Sequence, residues 1–216
     1  MKKLYKQNSF HAIRSEIVKQ LINDSKSMDL IKDVLNSNDV QVKKTLIQYT
    51  SQINPTLIAE YEKLLSDSSY ELIEIALEKL CIQNPFHVSK YIDLTAGIEG
   101  TKGRNVKIKN LELAYLFLGN NNETINQLVD FTSNSYEFLT RVNAFAALTR
   151  LDYINEKAIE NALMAALSNN GRLAGPAKAY IKEFYAKSKH QKLIQLKVIE
   201  FARTDYDKKV LYSLLN

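Results

Sequence analysis

The sequence has no tryptophan, one cysteine, three prolines and six glycines among its 216 residues. A single cysteine cannot close an intrachain disulfide, so no covalent cross-link of that kind supports the fold. Scarce proline and glycine argue against a β-rich or disordered chain, because turns and flexible linkers use both residues heavily. With 45% hydrophobic and 25% charged residues, the composition predicts a soluble, mostly helical protein with a substantial core.

Long apolar runs and an N-terminal targeting signal are also missing. Nowhere do 18 uncharged apolar residues follow one another, and the basic start Met1–Asn8 leads into no apolar segment. We therefore expect a soluble chain of unknown compartment, without a signal peptide, a transmembrane segment or a membrane partner. The net charge of +5 is a mild excess that solvated helical surfaces also carry.

Residues that usually hold metals or act as nucleophiles are scattered along the chain. None of His11, His87 and His190 is followed by Glu, so the H-E-x-x-H zinc motif is absent. Cys81 lies in an apolar run without a histidine partner, which favours a core position. We predict no catalytic residue, no metal site and no cofactor in this chain, with His87 partly buried and the other two histidines exposed to solvent.

A repeat organises the middle of the chain. Residues 40–69 and 70–99 superpose without gaps, and Asn54-Pro55 then falls on Asn84-Pro85. Asn accepts hydrogen bonds from the free N–H groups of a helix start, and Pro at the first helical position loses only a donor that is unpaired anyway. Each Asn-Pro therefore opens the second helix of a pair that recurs every 30 residues.

The same period extends beyond these two blocks. A third block, 106–135, places Asn120 at the corresponding offset, and a fourth begins at Tyr136. Stacked helix pairs predict an all-α, right-handed α-α solenoid of antiparallel pairs, similar to HEAT or armadillo repeats. We expect one domain over residues 1–216, made of an irregular first pair, four repeats and terminal helices: 8–36, repeats from about 40, 70, 106 and 136, and about 174–215.

The first helix of the second repeat shows the clearest division into an apolar and a polar face. Apolar residues recur at i, i+4 and i+8, which predicts a buried stripe: Leu72, Ile73, Ala76, Leu77 and Leu80. The opposite side carries charged residues, and we expect solvent there: Glu71, Glu74, Glu78 and Lys79.

One glycine-rich segment interrupts the repeat rhythm. Residues 97–103 lack the G-K-[ST] motif and follow a helix rather than a strand, which argues against a phosphate-binding loop. Four basic residues without an acid among them form a candidate recognition loop: Lys102, Arg104, Lys107 and Lys109. The alternative is an ordinary solvated loop between repeats. No aromatic residue interleaves the four, so the pattern disfavours a nucleic-acid partner.

Three segments resemble the C-terminal helical region of M1-family zinc aminopeptidases of the aminopeptidase N type. They are Gly100–Glu112, which contains G-R-N-V-K-I-K-N-L-E, Ser135–Leu148 and Gly171–Lys178. Together with the helix start at 66–70, the similarity covers roughly residues 36–188. The sequence departs from the family where Asn110 replaces a tryptophan and Lys107 an arginine, and the matching motifs are of the helix-packing kind.

The resemblance implies a non-catalytic C-terminal accessory domain. In this family zinc, its ligands and the general base belong to a separate catalytic domain, whose motifs do not occur here. The implied partners are that catalytic domain, with its zinc, and the peptide substrates whose chamber the helical region helps to wall off. Gly171-Arg172 matches half of a G-R-x-K stretch that lies near a substrate carboxylate in a related branch, although Ala174 replaces the lysine. Arg172 is thus a candidate substrate-binding residue, or else an exposed arginine at a helix start.

Two other functions stay open at this point. One is a free-standing HEAT-like scaffold that binds another protein, because solenoids present long surfaces to partners. The other is a HEAT-like nucleic-acid-binding protein, which a pI near 9.0 and the basic residues of the candidate recognition loop would serve.

Overall fold

Helices account for all regular secondary structure in residues 1–119 and 121–215, the residues that the computed structural model describes. The all-α prediction is confirmed for this part of the chain. None of the described helices combines the length and apolar character needed to cross a bilayer. The chain divides into two compact units, Met1–Ile98 and Glu99–Asn216, and the single domain over residues 1–216 stays a prediction.

The first unit contains seven α-helices among its described residues: α1 (Lys2–Gln7), α2 (His11–Leu21), α3 (Met28–Leu35), α4 (Val40–Tyr49), α5 (Ile58–Lys63), α6 (Tyr70–Gln83) and α7 (Val88–Thr95). Helix α4 packs against both α2 and α6, so these three alternate helices of the chain are neighbours in space. Helices α3 and α5 contact each other. Helix α3 also contacts α4, and α5 also contacts α6. Helix α1 was not predicted, because six residues are too few to show a period.

The repeat boundaries predicted at Val40 and Tyr70 are the first residues of α4 and α6. The Asn-Pro pairs do open the second helices, but each begins as a short 3-10 turn before α5 and α7. Asn54 caps its turn through a hydrogen bond from the Thr56 N–H, 3.0 Å long. Asn84 forms no such cap and instead donates from Nδ2 to the Tyr91 hydroxyl at 2.7 Å.

The predicted faces of α6 are mostly correct. All five residues of the apolar stripe are buried, and Leu77 is fully inaccessible to solvent. The opposite side is only half-exposed. Two of its charged residues contact α4 and the residue that follows it: Lys44 pairs with Glu71 at 2.5 Å, and Lys79 donates to the carbonyl oxygen of Thr50. This side is therefore a polar packing surface rather than a fully solvated one.

The second unit also contains seven α-helices among its described residues: α8 (Asn105–Leu118), α9 (Asn122–Asp130), α10 (Phe138–Arg150), α11 (Glu156–Ala166), α12 (Gly171–Tyr185), α13 (Ser188–Phe201) and α14 (Asp205–Tyr212). Helix α10 lies between α8 and α12, and α11 lies between α9 and α13. One apolar core runs through the unit, with Phe145, Tyr180 and Phe184 as its largest fully buried side chains.

Some predicted boundaries in the second unit shift by one to three residues. Helix α8 begins one residue before Val106. Helix α10 begins at Phe138 rather than Tyr136, because the Glu137 carboxylate accepts the first free N–H groups and so sets the start. The predicted cap at Asn120 lies outside the described residues.

Helix α12 begins at Gly171, three residues before the predicted start of the terminal helices at about residue 174. The Asn170 side chain accepts a hydrogen bond from the Arg172 N–H at 3.0 Å and starts the helix at Gly171. Pro176 consequently lies inside the helix, where it lacks the N–H that would bond to the carbonyl of Arg172. The apolar residues that follow, Ala177 and Ile181, are fully buried and hold the helix against its neighbours.

Candidate functional site

At the start of the candidate recognition loop, two glycines and one arginine have a left-handed backbone conformation. Gly100, Gly103 and Arg104 have φ angles of 89°, 63° and 51°, in the left-handed region. A side chain at position 103 would place its Cβ 2.5 Å from the carbonyl carbon of Leu139. Gly103 therefore allows the loop to lie directly on the start of α10.

Asn143 of α10 binds the backbone of this loop. The Nδ2 of Asn143 donates to the carbonyl oxygens of Lys102 and Gly103, at 2.9 and 2.8 Å. These carbonyls face the amide of Asn143, so the loop presents acceptors to α10. No local pattern in the sequence marks Asn143, an asparagine in mid-helix, as the partner of a loop 40 residues earlier.

The Arg104 guanidinium lies against two aromatic rings, while 39% of the side chain is exposed to solvent. Its guanidinium carbon lies 5.6 Å from the ring centre of Phe131 and 5.5 Å from that of Tyr136, and the group also pairs with Glu99. The two rings meet edge to face at 5.0 Å. Both aromatic residues lie more than 25 positions after Arg104 in the sequence. A search for aromatic residues near Arg104 in the sequence therefore could not find them.

The four basic residues of the candidate recognition loop do not share one environment. Lys102 is exposed, and Arg104 is held as just described. Lys109 is buried, with its ammonium 3.3 Å from Glu112. The same carboxylate binds the Arg150 guanidinium through two hydrogen bonds of 2.5 and 2.7 Å. Lys107 is half-buried in α8. The four basic residues therefore differ both in burial and in the groups that they contact.

Two buried polar side chains, Arg141 and Asn161, link α9, α10 and α11. Arg141 is only 8% exposed and donates from Nε to the carbonyl oxygen of Thr132 at 3.0 Å. Asn161 is 1% exposed and donates from Nδ2 to the Thr132 hydroxyl at 2.8 Å. Burial lowers the pKa of Arg141 from its ordinary value. These groups cross-link neighbouring helices, which is a structural task.

Arg172 lies at the second position of α12 and is exposed. It forms no ion pair with any described residue, so its guanidinium can meet a carboxylate from outside the chain. Ala174, at the place of the family's lysine, is buried at 6% exposure. The role of Arg172 in substrate binding stays a prediction.

The histidines and the cysteine form no reactive group. His87 is exposed and stacks on Tyr91, so its predicted partial burial is wrong. His190 was expected in solvent, but it is half-buried, and its Nε2 has no hydrogen-bond partner among the described residues. Cys81 is buried as predicted, and burial raises the pKa of its thiol to about 12. Within residues 1–119 and 121–215, no three His, Cys, Asp or Glu side chains are arranged to hold a metal ion.

Large apolar side chains remain exposed in both units. In the first unit the most exposed is Phe86, at 97%, with Ile82 four residues before it at 58%. In the second, Leu196 and Ile199 on α13 are 56% and 62% exposed. Such side chains are candidates for contact with another protein surface.

No family model and no curated protein matches the chain. The resemblance to M1 aminopeptidases therefore depends on the three segments themselves. In the structure, all three belong to the second unit. Gly100–Glu112 supplies the loop and the first half of α8, Ser135–Leu148 the start and body of α10, and Gly171–Lys178 the first half of α12.

Proposed function

We propose that this chain is a HEAT-like accessory domain that docks on the catalytic domain of an M1-type zinc aminopeptidase and performs no chemistry itself. The observation that carries the proposal is the mutual packing of the three segments that resemble this family. Their helices contact one another in the order α8, α10, α12. Gly103 of the first segment lies on Leu139 of the second, and Asn143 of the second donates to the carbonyl oxygens of Lys102 and Gly103 in the first.

The order of helix contacts supports a solenoid within the second unit. Helices α8, α10 and α12 form one row, and α9, α11 and α13 form another. Two rows of alternating helices are what stacked antiparallel pairs produce. A surface built in this way suits a wall or a docking face, because its residues can vary without disturbing the buried rows.

The proposed partner is a protein, and the exposed apolar side chains support this part. A stable interface buries about 1,000 Å² or more and contains apolar and aromatic residues at its centre. Phe86 and Ile199 are the most exposed large apolar residues of their respective units. A free-standing scaffold would use the same side chains, so they favour a protein partner without choosing between these two functions.

The nucleic-acid hypothesis receives the least support. Of the four basic residues that suggested it, Arg104 and Lys109 are engaged with Glu99 and Glu112. Nucleic-acid affinity depends on several cations that are free to replace counterions on phosphates. Strong binding to duplex or single-stranded DNA that weakens steeply with salt would reverse this ranking.

The gene that encodes the chain provides the first test. We expect the coding region upstream to continue into a domain with an H-E-x-x-H motif. Produced separately, that domain should form a stable complex with this chain, measured by sedimentation. It should bind one zinc ion, and the present chain should neither bind zinc nor cleave aminoacyl-nitroanilides. An upstream region without that motif would refute the proposal and favour the free-standing scaffold.

Arg172 provides a test in the joined enzyme. If it binds the C-terminal carboxylate of a peptide, Arg172→Ala should raise KM for free-carboxylate peptides more than for the same peptides with amidated ends. Lys178→Ala, on the same helix, is the matched control and should affect both substrates equally. Equal effects of Arg172→Ala on both substrates would remove Arg172 from the substrate site.

A further inference from the structure

A cavity of about 280 Å³ opens in the first unit. It lies where α2 and α4 end and where α3 and the turn before α5 begin. Its floor is apolar and includes Ile31, Leu57 and Tyr61, which are buried. Its rim is polar and exposed, and includes Asp24 and Asn54.

The floor of the cavity contains no unsatisfied polar group that a ligand must meet. The Tyr61 hydroxyl donates to Thr50 Oγ1 at 2.9 Å, and Thr50 Oγ1 donates to the carbonyl oxygen of Leu46 at 2.8 Å. The carbonyl oxygen of Thr50 accepts a hydrogen bond from the ammonium of Lys79. The floor can therefore accept an apolar group without losing hydrogen bonds.

Asp24 gives the rim a negative charge. Its carboxylate accepts hydrogen bonds from the Lys26 N–H at 3.0 Å and the Ser27 hydroxyl at 2.7 Å. These bonds, from Ser27 first, lower the pKa of Asp24 below its ordinary value. Lys2 and Lys26 stabilise the ionised form at a distance, but neither forms an ion pair with it within the described residues. The residues that line the cavity include no lysine, arginine or histidine among those described.

Asn54 adds a hydrogen-bond donor in a defined orientation. Its Oδ1 accepts from the N–H and the hydroxyl of Thr56, at 3.0 and 2.8 Å, which fixes which end of the amide faces the cavity. Its Nδ2 is directed towards Met28, whose sulfur lies 4.0 Å away. A thioether is a weak acceptor, so this donor remains available to a carbonyl oxygen.

We infer that this cavity binds one basic side chain, lysine or arginine, of an extended peptide segment. The apolar stem lies on the floor, the charged end pairs with Asp24, and a carbonyl of the segment accepts from Asn54. The volume of about 280 Å³ lies just below that of pockets that enclose whole small molecules, about 300–1,000 Å³, and suits a single side chain. The inference does not depend on the aminopeptidase proposal.

Nuclear magnetic resonance of the ¹⁵N-labelled full chain tests this site. The probes are the Nα-acetyl N-methylamides of lysine and arginine, with those of norleucine and glutamate as controls for the stem and for charge. We expect saturable shifts at the backbone amides of Gln52, Asn54 and Asp24 with the basic probes. Their Kd should be lower than that of norleucine by on the order of tenfold, because a charge-assisted hydrogen bond is added.

Two variants separate the charge of Asp24 from its structural role. Asp24→Asn keeps a side-chain acceptor for the helix start. This variant should bind the basic probes no more tightly than the norleucine probe. Asp29→Asn, at an exposed residue of α3 that does not line the cavity, should leave the preference for basic probes unchanged. The inference is overturned by unmodified protein that shows no saturable shifts with either basic probe, or that binds norleucine equally well. Unchanged selectivity in Asp24→Asn would overturn it too.

Discussion

Individual residues of this protein differ in how far local sequence predicts their environment. The apolar stripe of α6 is buried as the spacing predicts, whereas the charged side contributes contacts to α4. Leu77 is inaccessible to solvent, and Ile82 on the same helix is 58% exposed. The difference follows from the helical period, since the two residues lie five positions apart and point in different directions.

Truncation of these two residues should have unequal effects. Leu77→Ala leaves a cavity among neighbouring helices and should lower the free energy of unfolding by about 2–5 kcal/mol. Ile82→Ala, the matched control at an exposed site, should change it by no more than about 0.5 kcal/mol. Urea unfolding followed by circular dichroism measures both. Similar shifts for the two variants would contradict the face assignment of α6.

Gly103 offers a second contrast at the scale of one residue. Because the φ angle of Gly103 is left-handed, Gly103→Ala should lower the free energy of unfolding by about 1–2 kcal/mol. The contact with Leu139 should lower it further, because the backbone there cannot move away easily. Gly97→Ala is the control, since a Cβ at position 97 meets no atom within 4 Å. Thermal unfolding should separate the two variants clearly. A Gly103→Ala protein as stable as Gly97→Ala would show that the loop does not rest on α10.

The start of each helix depends on which side chain accepts its free N–H groups. Asn54, Asn155 and Asn170 all accept a backbone N–H at the start of their elements, as asparagine caps commonly do. Glu137 does the same for α10, although glutamate is not a typical cap. Its carboxylate accepts from the N–H groups of Leu139 and Thr140 at 2.7 and 2.9 Å.

Removal of this cap should weaken α10. Glu137→Ala leaves two helix N–H groups without their acceptor and should reduce stability by about 0.5–2 kcal/mol. Glu137→Asp retains a carboxylate and should recover most of the loss. Amide hydrogen exchange at Leu139 and Thr140 reports the cap directly. Unchanged exchange in Glu137→Ala would mean that tertiary packing alone sets the start of α10.

For the whole molecule, acid stability depends on ion pairs in both units. The pKa values of Glu60, Glu62 and Asp152 lie below their ordinary values because Lys32, Lys90 and Lys187 donate hydrogen bonds to them. A carboxylate with a lowered pKa binds fewer protons in the folded state than in the unfolded one. Its contribution is therefore present above the unfolded pKa, about 4, and is lost as pH falls through the lower folded pKa.

His190 should add a separate step at higher pH. Burial, together with Lys189, lowers the pKa of His190 below its ordinary value of 6.5. The unfolded state then takes up the proton first, so stability should fall as pH drops below about 6.5. The melting temperature, measured between pH 8 and 3, should show this shallow step and a larger one below pH 4. His190→Gln should abolish only the first step. A first step that persists in this variant would assign it to another group.

The sequence by itself determined the helical class, the starts of α4 and α6, and the buried stripe of α6. These features depend on residues within a few positions of one another, where helix geometry dictates which side chains share a face. It also located the Asn-Pro turns, because proline restricts the backbone locally wherever it occurs. Pro176 shows the limit of this reasoning, since burial of its neighbours keeps it inside a helix.

Only the tertiary structure decided which distant residues meet. Asn143 binds a loop 40 positions away, Arg104 packs against two later aromatic rings, and Glu112 pairs with Arg150. The cavity bounded by Asp24 and Asn54 likewise joins elements that are separate in sequence. No local pattern encodes such encounters, because they depend on how helix pairs pack against one another and on the space that this packing leaves.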